Sequence, residues 1–147
     1  MTKNVGWWPA GGSKIESTRK KTNMKAHVIM LISADPAARG VVEKAVLAAR
    51  RGLRVVADRE RALRELSSVE PDMDMVIIDF DSGINGLNLF VAARDRFPVL
   101  VLTHRDATDL QRILRRHGAV GSLTKPLAAD ELQKAIRELL EPAAMAA

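Results

Sequence analysis

An α/β fold built on a doubly wound, five-stranded parallel sheet with helices on both faces is predicted for this chain by three observations. Strand-like and helix-like segments alternate five times from His27 onward, and the connections between them are short. The first strand-like run, HVIMLIS, is apolar throughout instead of alternating with polar residues. Continuous apolar runs with β-branched members belong to strands covered on both faces, and strict β/α alternation is the pattern of a parallel sheet. With 147 residues and 47% hydrophobic content, the chain suits one domain with a single core.

Each element has its own local signal. After the first strand, Asp35 and Pro36 read as a helix cap and first turn, and Val41, Val42, Ala45, Val46 and Ala49 keep helical spacing until Gly52. Leu53 to Ala57 gives the second strand. A helix from near Asp58 turns Ala62, Leu63 and Leu66 to the core, and Pro71 closes it ahead of the third strand, Met75 to Ile78. Beyond the loop from Gly83 to Gly86, Leu87, Phe90 and Ala93 mark a helix ending near Phe97, and Pro98 leads into the fourth strand, Val99 to Leu102. Asp106 to His117 forms a helix with a narrow stripe of Leu110, Ile113 and Leu114, stopped by Gly118. Val120 to Thr124 is the fifth strand, and Asp130 caps a last helix carrying Leu132, Ala135, Ile136, Leu139 and Leu140. The expected topology is flavodoxin-like, strand order 2-1-3-4-5, with a site above the first and third strands.

Composition excludes several classes. Without cysteine there are no disulfides or thiolate metal sites, which fits a reducing compartment. The longest apolar runs fall short of the roughly 20 residues a membrane span needs, and the amino terminus lacks the apolar core of a secretory signal. A cytoplasmic location is expected. The formal charge of +5 is concentrated in residues 1–25, where Lys3, Lys14, Arg19, Lys20, Lys21 and Lys25 face Glu16 alone. This segment, with Gly6, Trp7, Trp8, Pro9, Gly11, Gly12 and Ser13, reads as a disordered basic tail before a domain at 26–141, and 142–147 reads as a short C-terminal tail. Such an arm either contacts nucleic acid or anionic lipid or is a solvated extension. Trp7 and Trp8 pack on the domain or anchor a partner.

Three strand ends carry the candidate chemistry. MVIID ends in Asp79, VLVLT in Thr103, and VGSLTKP delivers Lys125, so that an acid, a hydroxyl and an amine meet at the carboxyl edge of one sheet. Each residue alone is ordinary: a loop cap, a routine β-former, a loop lysine. Their joint placement carries the argument.

On VIIDFDSGINGL, VLVLTH and GSLTKP, the chain from about Ala26 to Leu140 resembles the receiver domain of two-component response regulators. The resemblance implies that Asp79 accepts a phosphoryl group from a histidine kinase, a phosphotransferase or a small phosphodonor. It implies that Thr103 binds the phosphoryl oxygen, that Lys125 supplies the counter-charge, and that the Lys125–Pro126 bond is cis. It also implies magnesium held by two adjacent acids after the first strand together with the phosphoacceptor. Here those two positions are Ser33 and Ala34, so the Mg2+ site is expected to be weak or absent. Asp79, Asp35 and Asp81 remain as candidate ligands. Asp35 is read first as a helix cap, and Asp81 either lends an oxygen to a cation or repels phosphoryl donors. Without a cation, Lys125 is the expected ionic partner of Asp79.

Further departures concern output. Ser122 stands where the family usually has an aromatic residue, and His104 replaces the small residue after the threonine, narrowing access to Asp79 or serving as a plain loop residue. The last two helices mix Arg105, Asp106, Asp109, Arg112, Arg115 and Arg116 with Asp130, Glu131, Lys134, Arg137 and Glu138. That mixture suits a homodimer across a two-fold axis or a solvated charged face. The expectation is a stand-alone, atypical receiver in phosphorelay signalling, not an enzyme, acting on a downstream protein partner. Its mechanism is either slow phosphorylation at Asp79 or a phosphorylation-independent pseudo-receiver. The alternatives are nucleic-acid binding through the tail and a flavin module, the latter disfavoured because DSGINGL puts an acid where a phosphate would approach.

Overall fold

Strands and helices alternate along the chain in the predicted order. The computed structural model describes residues 28–68, 73–83, 85–104 and 106–140. The strands are β1 (Val28–Ile32), β2 (Gly52–Val56), β3 (Met75–Asp79), β4 (Val99–Thr103) and β5 (Gly121–Thr124). The helices are α1 (Pro36–Ala48), α2 (Arg59–Leu66), α3 (Gly86–Ala93), α4 (Thr108–Arg116) and α5 (Ala129–Leu140). All strand pairs are parallel, in the order β2-β1-β3-β4-β5. The two expected tails, Pro71 and Arg105 lie outside the described residues. Among the described residues no helix is long and apolar enough to cross a membrane.

Period-two alternation along the strands sorts the side chains into two cores. Met30, Ile32, Val76, Ile78, Val99 and Val101 pack against Ala62 and Leu66 of α2, Leu89 and Phe90 of α3, and Leu114 of α4. Ile29, Leu31, Met75, Ile77, Leu100 and Leu102 pack against Val42 and Val46 of α1 and Leu132 and Ile136 of α5. Every residue of β3 and β4 is buried, which is why these strands are apolar without alternation. Register then fixes the functional edge: Ile32 lies beside Ile78, Asp79 beside Leu102, and Thr103 beside Thr124. Just past β3, the ring of Phe80 packs edge-on to Phe90. It also lies so near Gly86 that a Cβ there would come within 2.9 Å of it.

Helix starts follow the cap chemistry in α1, α2 and α3, with two exceptions, α4 and α5. The Asp35, Asp58 and Asn85 side chains accept from Ala37 N, Arg61 N and Asn88 N. Asp130, expected as a cap, instead lies inside the first turn of α5. The start of α4 is capped by no side-chain bond at Ala107, two residues later than the sequence suggests.

Several expectations about faces and ends are corrected. Leu87 and Ile113 are 58% and 50% exposed, and the core positions are Leu89 and Leu114. A helix of this length buries only a narrow arc, and in α3 that arc runs through Leu89, Phe90 and Ala93. The helix ends at Ala93, with Phe97 buried beyond it. Val120 precedes β5 and is partly exposed, because β5 is an edge strand.

The end of α1 differs most. Gly52 is the first residue of β2 and does not stop the helix. The stop is Arg50, at φ 60°, with Arg50 N donating to Leu47 O and Arg51 N to Val46 O. The same pair of bonds ends α4, from Gly118 N to Arg115 O and Ala119 N to Leu114 O, around Gly118 at φ 120°. This double bond pattern is the Schellman stop, which demands a left-handed residue at its centre. Glycine meets that demand in one case, and an arginine in the other. Arg50→Gly is therefore expected to stabilise the protein by about 0.5–1 kcal/mol, and Gly118→Ala to destabilise it by about 1 kcal/mol, both read from urea unfolding midpoints.

Candidate functional site

Sheet parity decides which of the candidate residues meet. Ser33 and Asp79 continue the odd-numbered face of β1 and β3, on the α1 and α5 side, and Lys125 continues the face of Leu123, which packs on the same core. Thr103 continues the face of Val99 and Val101, on the side of α2, α3 and α4. The trio shares the carboxyl edge of the sheet, as expected, with Thr103 on the opposite strand parity from Asp79 and Lys125.

On the α1 side the contacts are dense. Asp79 has no exposed surface. Its Oδ2 accepts from Ser33 Oγ at 2.7 Å and from Lys125 Nζ at 2.9 Å, and its Oδ1 accepts from Asp81 N at 3.0 Å. Lys125 Nζ also donates to Asp35 Oδ2 at 2.8 Å and lies 3.7 Å from Asp81 Oδ2. Asp35 caps α1 through Oδ1, as expected, while its Oδ2 binds the Lys125 ammonium, a contact the sequence reading assigns only to Asp79. Ser33 Oγ in turn accepts from Asp35 N at 3.0 Å. The serine therefore links the Asp79 carboxylate to the backbone of Asp35 at the start of α1. Ala34 is exposed. The Lys125–Pro126 bond is cis, as expected.

On the other side, the fully buried Thr103 accepts at Oγ1 a hydrogen bond from Nε2 of Gln111 in α4. Gln111 was not singled out by sequence. Its signal was its spacing, three residues before buried Leu114, which puts a polar residue on the sheet-facing side of the helix. His104 is mostly exposed, and its Nδ1 accepts from Asp106 N at 3.4 Å. Ser122 is half-buried in β5.

Three carboxylates thus converge on one ammonium. Among the described residues no group of three or more His, Cys, Asp or Glu side chains is arranged to hold a metal ion.

Comparison with known proteins gives one consistent result. The family model of the response regulator receiver domain matches residues 29–137. No curated protein matches the chain. Among solved structures, a response regulator from Thermotoga maritima is similar, with a TM-score of 0.68 and 21% identity over 79% of this chain and 98% of that one. A response regulator from Chloroflexus aurantiacus J-10-fl has a TM-score of 0.68 and 25% identity over the same shares. A CheY-like receiver domain protein from Methanospirillum hungatei JF-1 has a TM-score of 0.69 and 15% identity over 84% of this chain and the whole of the other.

The shared ammonium sets the electrostatics. The hydrogen bond from Lys125 is the main reason the Asp35 carboxyl titrates below its ordinary 3.8, helped by the amide of Ala37 and opposed by partial burial. Burial would push the Lys125 ammonium down, but its bonds to Asp35 and Asp79 outweigh that and raise it above 10.5. Asp35 therefore contributes stability that is present above 3.8 and lost as pH falls through its lowered value. Lys125 contributes stability that is present below 10.5 and lost as pH rises through its raised value. Lys125→Met should cost about 3 kcal/mol at neutral pH, because it takes the cationic partner from the buried Asp79, and much less in an Asp79→Asn background. Asp35→Asn should remove part of the acid-side loss of stability, measured as urea midpoints across pH.

Proposed function

As this chain belongs to the response regulator receiver family, we propose that it serves two-component signalling as a phosphorylation-independent receiver, acting through protein contacts with its site held in one charge state. The observation that carries this reading is the Lys125 ammonium seated between Asp79 and Asp35, 2.9 and 2.8 Å away. Phosphoryl transfer depends on positioning and on neutralising charge at the transferring oxygens. Here the positive charge at the site is already committed to two carboxylates. Both oxygens of Asp79 already accept hydrogen bonds, one from two donors.

The residues do not fit magnesium. Ser33 and Ala34 replace the acidic pair, and the point where Asp35, Asp79 and Asp81 converge is filled by an ammonium. A phosphoryl donor approaching Asp79 also meets Asp35 and Asp81, so three negative groups face it against one cation. A histidine kinase or phosphotransferase is then a docking partner at most, and a downstream protein reads the folded surface.

A second reading, slow phosphorylation of Asp79 without bound metal, is favoured by the position of Asp79 at the end of β3 with Lys125 in contact. Intact-protein mass spectrometry separates the two. After incubation with acetyl phosphate and magnesium, the protein is expected to keep its unmodified mass. A single phosphoryl adduct on the parent, absent from Asp79→Asn, would establish the second reading instead. Millimolar magnesium is likewise expected to leave the melting temperature unchanged.

A further inference from the structure

We propose that the corner of the domain at the end of α1 is a docking surface for an anionic phospholipid membrane, working together with the basic segment that leads into β1. Val28 is the sheet partner of Gly52, so the chain enters the fold beside Arg50 and Arg51, the two residues that precede Gly52. Lys25 stands three residues before Val28, which is about 10 Å of chain at full extension. Lys14, Arg19, Lys20 and Lys21 precede it, and Glu16 is the one acid of residues 1–25. Strand register thus delivers the most basic part of the sequence to one corner of the folded domain.

That corner is itself cationic. Lys44, Arg50 and Arg137 are exposed there, Arg51 is half-buried beside Arg50, and Arg137 is tied to the corner by its bond to Ala48 O. Among the described residues the acids nearest to them are Asp74, whose amide donates to Val28 O, Glu138, which follows Arg137, and Glu43, which pairs with Arg39. Two features mark the corner as more than a solvated face. Arg50 holds φ 60°, a conformation that glycine adopts with less strain, and an exposed arginine kept on such a backbone points to a use for its side chain. Leu47, one turn after Lys44, is 71% exposed, the most of any large apolar residue among those described. Cations around an exposed leucine select the partner. Phosphates attract lysine and arginine on nucleic acids and membranes alike, but a membrane also has an apolar layer just beneath its phosphates, where a leucine leaves water. Trp7 and Trp8 belong to the same basic segment, and tryptophan favours the membrane–water interface. Because the corner lies at the opposite end of the strands from Asp79, docking there leaves the carboxyl edge open to a protein partner.

Flotation of the full chain with lipid vesicles tests the proposal. Vesicles of phosphatidylcholine with about one-third phosphatidylglycerol are expected to bind the protein, those of phosphatidylcholine alone are not, and binding is expected to fall as salt rises. Arg50→Gly removes the charge at a position where glycine suits the backbone, and is expected to weaken partitioning about fivefold, the share of one basic residue near an anionic surface. Leu47→Gln, at an exposed position outside both cores, is expected to weaken it about tenfold through the lost apolar contact. Equal binding to both kinds of vesicle, or binding to neither, would overturn the proposal. So would parental binding by both Arg50→Gly and Leu47→Gln, which would leave residues 1–27 as the whole anchor. Binding to a short DNA duplex that Leu47→Gln leaves unchanged, with none to the vesicles, would assign the surface to nucleic acid instead.

Discussion

A carboxylate with no contact with solvent is costly to keep charged, and the architecture of the functional edge follows from compensating Asp79. The compensation comes from three elements at once: the Ser33 hydroxyl at the end of β1, the amide of Asp81 beyond β3, and the Lys125 ammonium beyond β5. Since Lys125 also binds Asp35 at the start of α1, the ends of β1, β3 and β5 and the cap of α1 are joined in one network. Hydrogen-bonded networks of this kind are stabilising only when each member is satisfied, and here the buried oxygens of Asp79 are.

The fold was legible because its signals are redundant. Continuous apolar runs reported burial on both faces of β1, β3 and β4, and Asp35 with Pro36 announced the start of α1. Where the signal was a single residue, reading succeeded at Gly118 and failed at Gly52. Gly52 looked like a helix stop because glycine favours left-handed backbone, yet the chain turned two residues earlier at Arg50, where hydrogen bonding overrode the side-chain preference. Leu87 and Ile113 fitted a helical period, but short helices bury only part of an apolar set, and sequence does not show which part.

At the site, the strand ends gave Asp79, Thr103 and Lys125, and their neighbourhood at one edge followed from topology. The sides to which they point followed from register, which a sequence does not display: one residue of parity separates Thr103 from the two charged partners. The double role of Asp35 was hidden for a different reason. Cap and ion pair use different oxygens of one carboxylate, so reading Asp35 as a cap did not point to its ion pair with Lys125. Gln111 was hidden because its partner lies on another element, and polar residues on helices are usually solvated.

The packing of Phe80 on Gly86 ties the end of β3 to the start of α3. A ring immediately following the buried carboxylate is wedged against a backbone that leaves no room for a side chain and against the edge of Phe90. The Asp81 amide that binds Asp79 is therefore held next to an aromatic wedge. Alignment of the carboxylate becomes a matter of shape as well as electrostatics.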